Sequence, residues 1–184
     1  MSPTGARPID YDTFTDQTVS EAVDLTNLFA RADEPVTAEE LHRLLHLYVL
    51  VDEPVDVGAF AELAKTLRGV FEAADASERV ALLNDLLAAH EPHPFIAEHD
   101  GQAPHFHYVS DDGADVRRVG ASLAMALSHV VVDDGAERLG ACRATTCRNV
   151  FVDRTRNRSQ QFCSKTCATR VHVAAHRARA PGAH

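Results

Sequence analysis

Cys142-Arg-Ala-Thr-Thr-Cys147 and, fifteen residues later, Cys163-Ser-Lys-Thr-Cys167 hold all four cysteines of this 184-residue chain. Two close pairs of thiols at a moderate separation follow the spacing of a structural zinc site. Zinc takes four soft ligands in a tetrahedron, and one short loop presents only two of them well. The pairs differ in kind. Cys142 and Cys147 flank a turn-sized loop, whereas Cys163 and Cys167 stand four apart, on one face of a helix. From Thr166 to Arg179 there is no Pro or Gly, and Pro181-Gly182 ends the helical run. Between the pairs, Val150-Phe-Val152 reads as a short strand, Asp153 to Ser159 as a polar turn and Gln160-Gln-Phe162 as a second short strand. The expected module is a knuckle, a hairpin and a helix whose first turn supplies the last two thiolates, a treble-clef-like layout. Thiolates at a helix N-terminus also gain from the backbone dipole.

Two disulfides, a redox switch or four unrelated buried thiols are the competing readings. Disulfides need an oxidising compartment, and the first twenty residues show no apolar signal-peptide core. A redox pair is more typically C-x-x-C, which is absent. Four thiolates leave no open position for a catalytic water, so the reading is one structural Zn2+ on Cys142, Cys147, Cys163 and Cys167.

The segment Cys142 to Arg179 resembles the CGNR-type zinc finger. Cys142, Cys147, Phe151, Asp153, Thr155, Asn157, Cys163, Cys167, Arg170, Arg177 and Arg179 carry the likeness, in order. The signature tetrapeptide is Cys167-Ala-Thr-Arg170 here, so its Gly and Asn are missing, and Gln160-Gln-Phe162 replaces a basic stretch with Trp. The ligands are kept, while the surface the family presents to nucleic acid is reduced. In that family the finger follows an N-terminal ABATE domain, a stress-induced transcription regulator domain. Asp24-Leu-Thr-Asn27 is similar to an Asp-Leu-x-Asn stretch near its start. The resemblance implies a helical ABATE-like domain over 1–138, for ligand sensing or dimerisation, and a CGNR-like zinc finger over 139–184. It implies a bacterial transcription regulator whose basic helix contacts DNA. The alternative is a structural zinc knot for protein–protein interaction or small-ligand binding.

Charge points the same way. Residues 141–184 hold nine Lys/Arg against Asp153 alone, a net +8; with −9 for the whole chain, residues 1–140 carry −17. An acidic body with a basic tail is a pointer to nucleic acid, although the body itself repels phosphates unless it faces away. The candidate contacts are Arg154, Arg156 and Arg158 on the turn and Lys165, Arg170, Arg177 and Arg179 on the helix. Such contacts give affinity and salt dependence but little sequence choice.

The rest of the chain reads as mainly α with a small β-hairpin. Residues 1–8 are expected to fray and 9–16 to be extended. Capping boxes at Thr18-Val-Ser-Glu21 and Thr37-Ala-Glu-Glu40 open two helices. Val57, Phe60, Leu63, Ala64, Leu67, Val70 and Phe71 stripe a third, and Val80, Leu83, Leu86 and Leu87 a fourth starting at Ser77. Phe95-Ile-Ala97 and His105 to Val109 suggest a hairpin with a long loop. His90, His93, His99, His105 and His107 cluster there, which leaves a second metal site open. A small-ligand pocket between the hairpin and the helices is open as well. Ala114 to Asp133 makes a last helix, followed by a short linker. No apolar run reaches eighteen residues. The expectations are a cytoplasmic protein with no membrane partner, and DNA, a small effector or a second copy as partners. No catalytic motif such as G-x-S-x-G, a P-loop or H-E-x-x-H occurs, so no enzyme is expected.

Overall fold

The computed structural model describes residues 13–31, 34–45, 54–98, 104–108 and 115–179. Among them are six α-helices and two antiparallel two-stranded sheets: α1 (Thr13–Leu28), α2 (Ala38–Leu44), α3 (Val57–Glu72), α4 (Ala76–His90), β1 (Phe95–Ala97), β2 (His105–His107), α5 (Asp115–His129), β3 (Leu139–Ala141), β4 (Val150–Val152) and α6 (Lys165–Arg179). The fold is mainly α, with a helical body and a C-terminal cysteine module. None of the described helices is long and apolar enough to cross a membrane.

Local chemistry sets most helix starts. Thr37 accepts from the Glu40 amide while the Glu40 carboxylate accepts from the Thr37 amide, so the expected capping box opens α2. Those bonds, the Thr37 amide first and then Arg31, hold the Glu40 carboxyl down at about 2. Asp56 caps α3. Asp75, not the expected Ser77, caps α4, two residues earlier. The other correction is α1. It already runs through Thr13–Asp16, where an extended lead-in was expected, and Thr18 is buried inside it instead of opening it. Residues 1–12 lie outside the described residues, as do His99 and Val109.

The apolar stripes meet as read. Val19 and Leu25 of α1 pack with Phe60, Leu63, Leu67 and Phe71 of α3, Leu83 and Leu86 of α4, and Val119, Leu123 and Leu127 of α5. Val80, expected inward, is exposed. Helices α4 and α5 lie so close that a Cβ on Gly120 would stand 2.2 Å from the His90 ring, a position only glycine fills without a shift. Two buried arginines, both overlooked in the sequence, serve the fold. Arg79 donates from Nε to the Val70 carbonyl (2.8 Å) and from its two Nη atoms to those of Phe71, Ala73 and Ala136, so one cation covers the orphan carbonyls ending α3. Arg138 is treated with the module below. The expected hairpin forms: β1 pairs with β2 in the register Phe95 to His107, with Ile96 and Phe106 exposed.

Helix α5 gives way to a π-helical turn (Val130–Asp134) and a 3-10 turn (Ala136–Arg138) that leads straight into β3. Here the expected hairpin is corrected. Strand β4 pairs not with Gln160–Phe162 but with β3, upstream of the knuckle, in the register Leu139 to Val152. The knuckle folds the chain back on itself, so its two flanks become the strands. Gly140 faces Phe151 across the pair, and the ring sits where a Cβ would be 3.2 Å away.

Candidate metal centre

The knuckle is closed by two backbone bonds, Cys142 N–H to the Asn149 carbonyl (2.8 Å) and Cys147 N–H to the Ala144 carbonyl (2.9 Å). These turn both thiols toward one side of the β3–β4 hairpin. The second pair comes from the start of α6. Cys163 precedes the helix and Cys167 lies in its first turn, where its amide and that of Ala168 are taken by the side chain and carbonyl of Ser164. The Arg143 amide donates to the Gln161 carbonyl (3.0 Å), which holds the knuckle against the segment carrying Cys163.

These bonds bring all four Sγ atoms within 4.8 Å of one another. The Cys147–Cys163 and Cys163–Cys167 separations are 3.6 and 3.8 Å. A tetrahedron with Zn–S bonds of about 2.3 Å has S–S edges of about 3.8 Å, so these two separations match the edge length zinc demands. It is far from the roughly 2 Å of a disulfide. Among the described residues the quartet is the one group of His, Cys, Asp and Glu close enough to hold a metal. Burial, then the neighbouring thiols, push Cys163 up to about 12, and burial also raises Cys147. A hydrogen bond from Ser164 holds Cys167 below the usual thiol range. Thiols crowded this way do not ionise together unaided; a divalent cation displaces their protons. The site is that of a single structural zinc ion, with all four positions taken by protein.

Asp153 organises the turn between β4 and Cys163. It is buried, and its carboxylate accepts from the Thr155 amide (2.7 Å), the Thr155 hydroxyl (2.6 Å) and the Gln160 amide (2.7 Å). Burial pushes the Asp153 carboxyl up, but these bonds and the Arg138 charge outweigh it and hold it below the usual range. Buried Arg138 donates from Nη1 to the carbonyls of Asp153 (2.9 Å) and Thr155, and its own carbonyl accepts from the Asp153 amide.

The module is docked on the body. Asn27 of α1 accepts from the Val150 amide (2.7 Å) and donates to the Val150 carbonyl (3.1 Å), standing in for a third strand beside β4. Arg68 of α3 donates to the carbonyls of Arg148 in the knuckle and Thr26 in α1 (2.6 and 3.1 Å).

The seven candidate nucleic-acid contacts divide. Arg154 places Nη1 on both Asp16 oxygens (2.8 and 2.9 Å), and Arg158 pairs with Glu137, so the body's carboxylates already face these two. Arg170 donates to the Thr146 hydroxyl (3.1 Å), which ties α6 to the knuckle tip. Arg156, Lys165 and Arg177 are exposed, and no ion pair engages them among the described residues. Arg179 closes α6.

Residues 138–180 match the family model of the CGNR zinc finger. No curated protein matches the chain.

Proposed function

We propose that the chain is a transcription regulator whose zinc module holds α6 against DNA. The supporting observation is α6 itself. It carries Lys165, Arg170, Arg177 and Arg179 and no acidic residue. It is anchored at its first turn by Cys167, and every described side chain from His172 onward is exposed. A bare basic helix pinned at one end makes sense as an element that meets a polyanion. Arg156, Lys165, Arg170 and Arg177 then neutralise phosphates. In this reading the helical body is ABATE-like, receives the stress signal in the cytoplasm, and performs no catalysis of its own.

The test is the salt dependence of duplex DNA binding, read by fluorescence anisotropy on the zinc-loaded chain. Four phosphate contacts give a slope of about −3.6 in log K against log salt. Arg170→Ala with Arg177→Ala should remove about half of that slope and leave metal content unchanged. Binding equal to wild type in the double variant would overturn the reading and favour a zinc knot for protein contacts.

A further inference from the structure

Toward β3, strand β4 uses the backbone groups of Phe151, and the Asp153 amide just beyond it goes to the Arg138 carbonyl. In an antiparallel pair the alternate residues, Val150 and Val152, then point their N–H and C=O the other way, toward α1. Those of Val150 are taken by Asn27. Among the described residues no group takes those of Val152, although the residue is buried. A buried peptide group without a partner is rare, and it marks a place where a polar occupant belongs.

Val152 lines a cavity of about 450 Å³ between β4 and α1. That volume is in the range of small-molecule sites. Val19, Val23 and Phe151 give it an apolar wall. Asp24 lines it too, one helical turn before Asn27 and so on the same side of α1. We propose that this cavity binds a small organic cation that carries an amide.

Each half of that description has its own source. The Val152 edge offers one N–H and one C=O side by side. Two residues away, Asn27 answers the same pair on Val150 with a primary amide and two hydrogen bonds. The charge comes from the facing wall. Asp24 has no hydrogen bond or ion pair among the described residues, and partial burial alone pushes its carboxyl up. The one cation in the lining, Arg154, is already held by both oxygens of Asp16. Cys163 lines the cavity as well, and four thiolates around one Zn2+ leave a net charge of −2. Counting the metal centre therefore deepens the negative surplus instead of cancelling it. A cation relieves that surplus, and an anion is repelled by it.

An occupant lies against α1 of the body and β4 of the finger at once. It stabilises their docking by mass action. The inference stands whether or not α6 meets DNA.

Leucinamide is the probe, since it joins an ammonium, a primary amide and an apolar side chain. It is titrated into the zinc-loaded full chain at about pH 6.5, where an α-amine is charged. Saturable amide shifts are expected at Val23 and Val152, with a Kd of about 1 mM or tighter. Hydrogen exchange at the Val152 amide should slow on binding. Isoamylamine keeps the charge and the side chain but lacks the amide, and should bind about tenfold more weakly. N-acetylleucine keeps an amide but is anionic, and should leave both residues unmoved. Asp24→Asn, an exposed substitution, should weaken leucinamide about tenfold. Zinc content and thermal midpoint, measured on the same samples, show that the variant is folded. The proposal fails if leucinamide gives no saturable shifts there, if isoamylamine or N-acetylleucine binds as well as leucinamide does, or if Asp24→Asn binds it as wild type does.

Discussion

Asn27 and Val150 lie 123 residues apart and exchange two hydrogen bonds, at 2.7 and 3.1 Å. The amide side chain has a donor and an acceptor side by side, as a peptide group does. It can therefore complete the outer edge of β4 as a neighbouring strand would. Asn27→Ala leaves the N–H and C=O of a buried residue without partners. The expected cost is about 2–6 kcal/mol, from two buried unsatisfied groups at roughly 1–3 kcal/mol each. Metal content should stay at one per chain, because none of the ligands sits on α1. Chemical denaturation with metal analysis on the same sample checks both halves; an unchanged midpoint would remove Asn27 from the docking.

Asp153 predicts a pH dependence. Its carboxyl is held below the ordinary range in the folded chain, by hydrogen bonds that outweigh its burial. A depressed acid contributes stability above its unfolded value, near pH 4, and loses it as pH falls through the lower folded value. Asp153→Asn should therefore be less stable than wild type at neutral pH, and the gap should close on acidification. Thermal unfolding of both proteins at several pH values between about 3 and 7 reads this directly. A gap that stays constant would mean that Asp153 acts by shape alone.

Much of this was legible in the sequence because it is local. The Thr37–Glu40 box spans four residues, and both of its hydrogen bonds form as the spacing says. The α3 stripe is buried at six of its seven positions, because burial follows helical period. The quartet was legible because thiol spacing is a chemical signature independent of the fold. What failed was non-local. Leu139-Gly-Ala141 looks like linker until the knuckle folds it onto Val150–Val152. Gln160–Phe162 looks like strand, but the amide of Gln160 is spent on the Asp153 carboxylate. Thr18 carries a cap signal, yet α1 begins five residues earlier and buries it. Arg79 and Arg138 gave no signal, since a buried arginine is defined by the carbonyls it finds. Asn27 stood in a string with a family likeness, but its role needed its partner on β4.

The pairs Arg154–Asp16 and Arg158–Glu137 bear on the nucleic-acid reading. Both are largely exposed, so each is worth about 0–1 kcal/mol. Asp16→Asn with Glu137→Gln should leave stability nearly unchanged while freeing two arginines on the turn. If α6 and the turn meet one DNA backbone, affinity rises and the salt slope steepens by up to about 1.8, the share of two phosphates. Anisotropy titrations at several salt concentrations decide it. No change in slope would place the turn away from the DNA.

The metal centre carries the whole arrangement, so its stoichiometry is the most direct measurement. Native mass spectrometry of the purified chain, with thiol titration before and after chelator, should find one zinc per chain and no reactive thiol until the chelator is added. Cys163→Ser should lose the metal and the order of the module, since structural zinc is worth roughly 10–16 kcal/mol in small modules. A metal-free wild-type chain with four free thiols or two disulfides, or a Cys163→Ser chain whose module stays folded, would contradict the account.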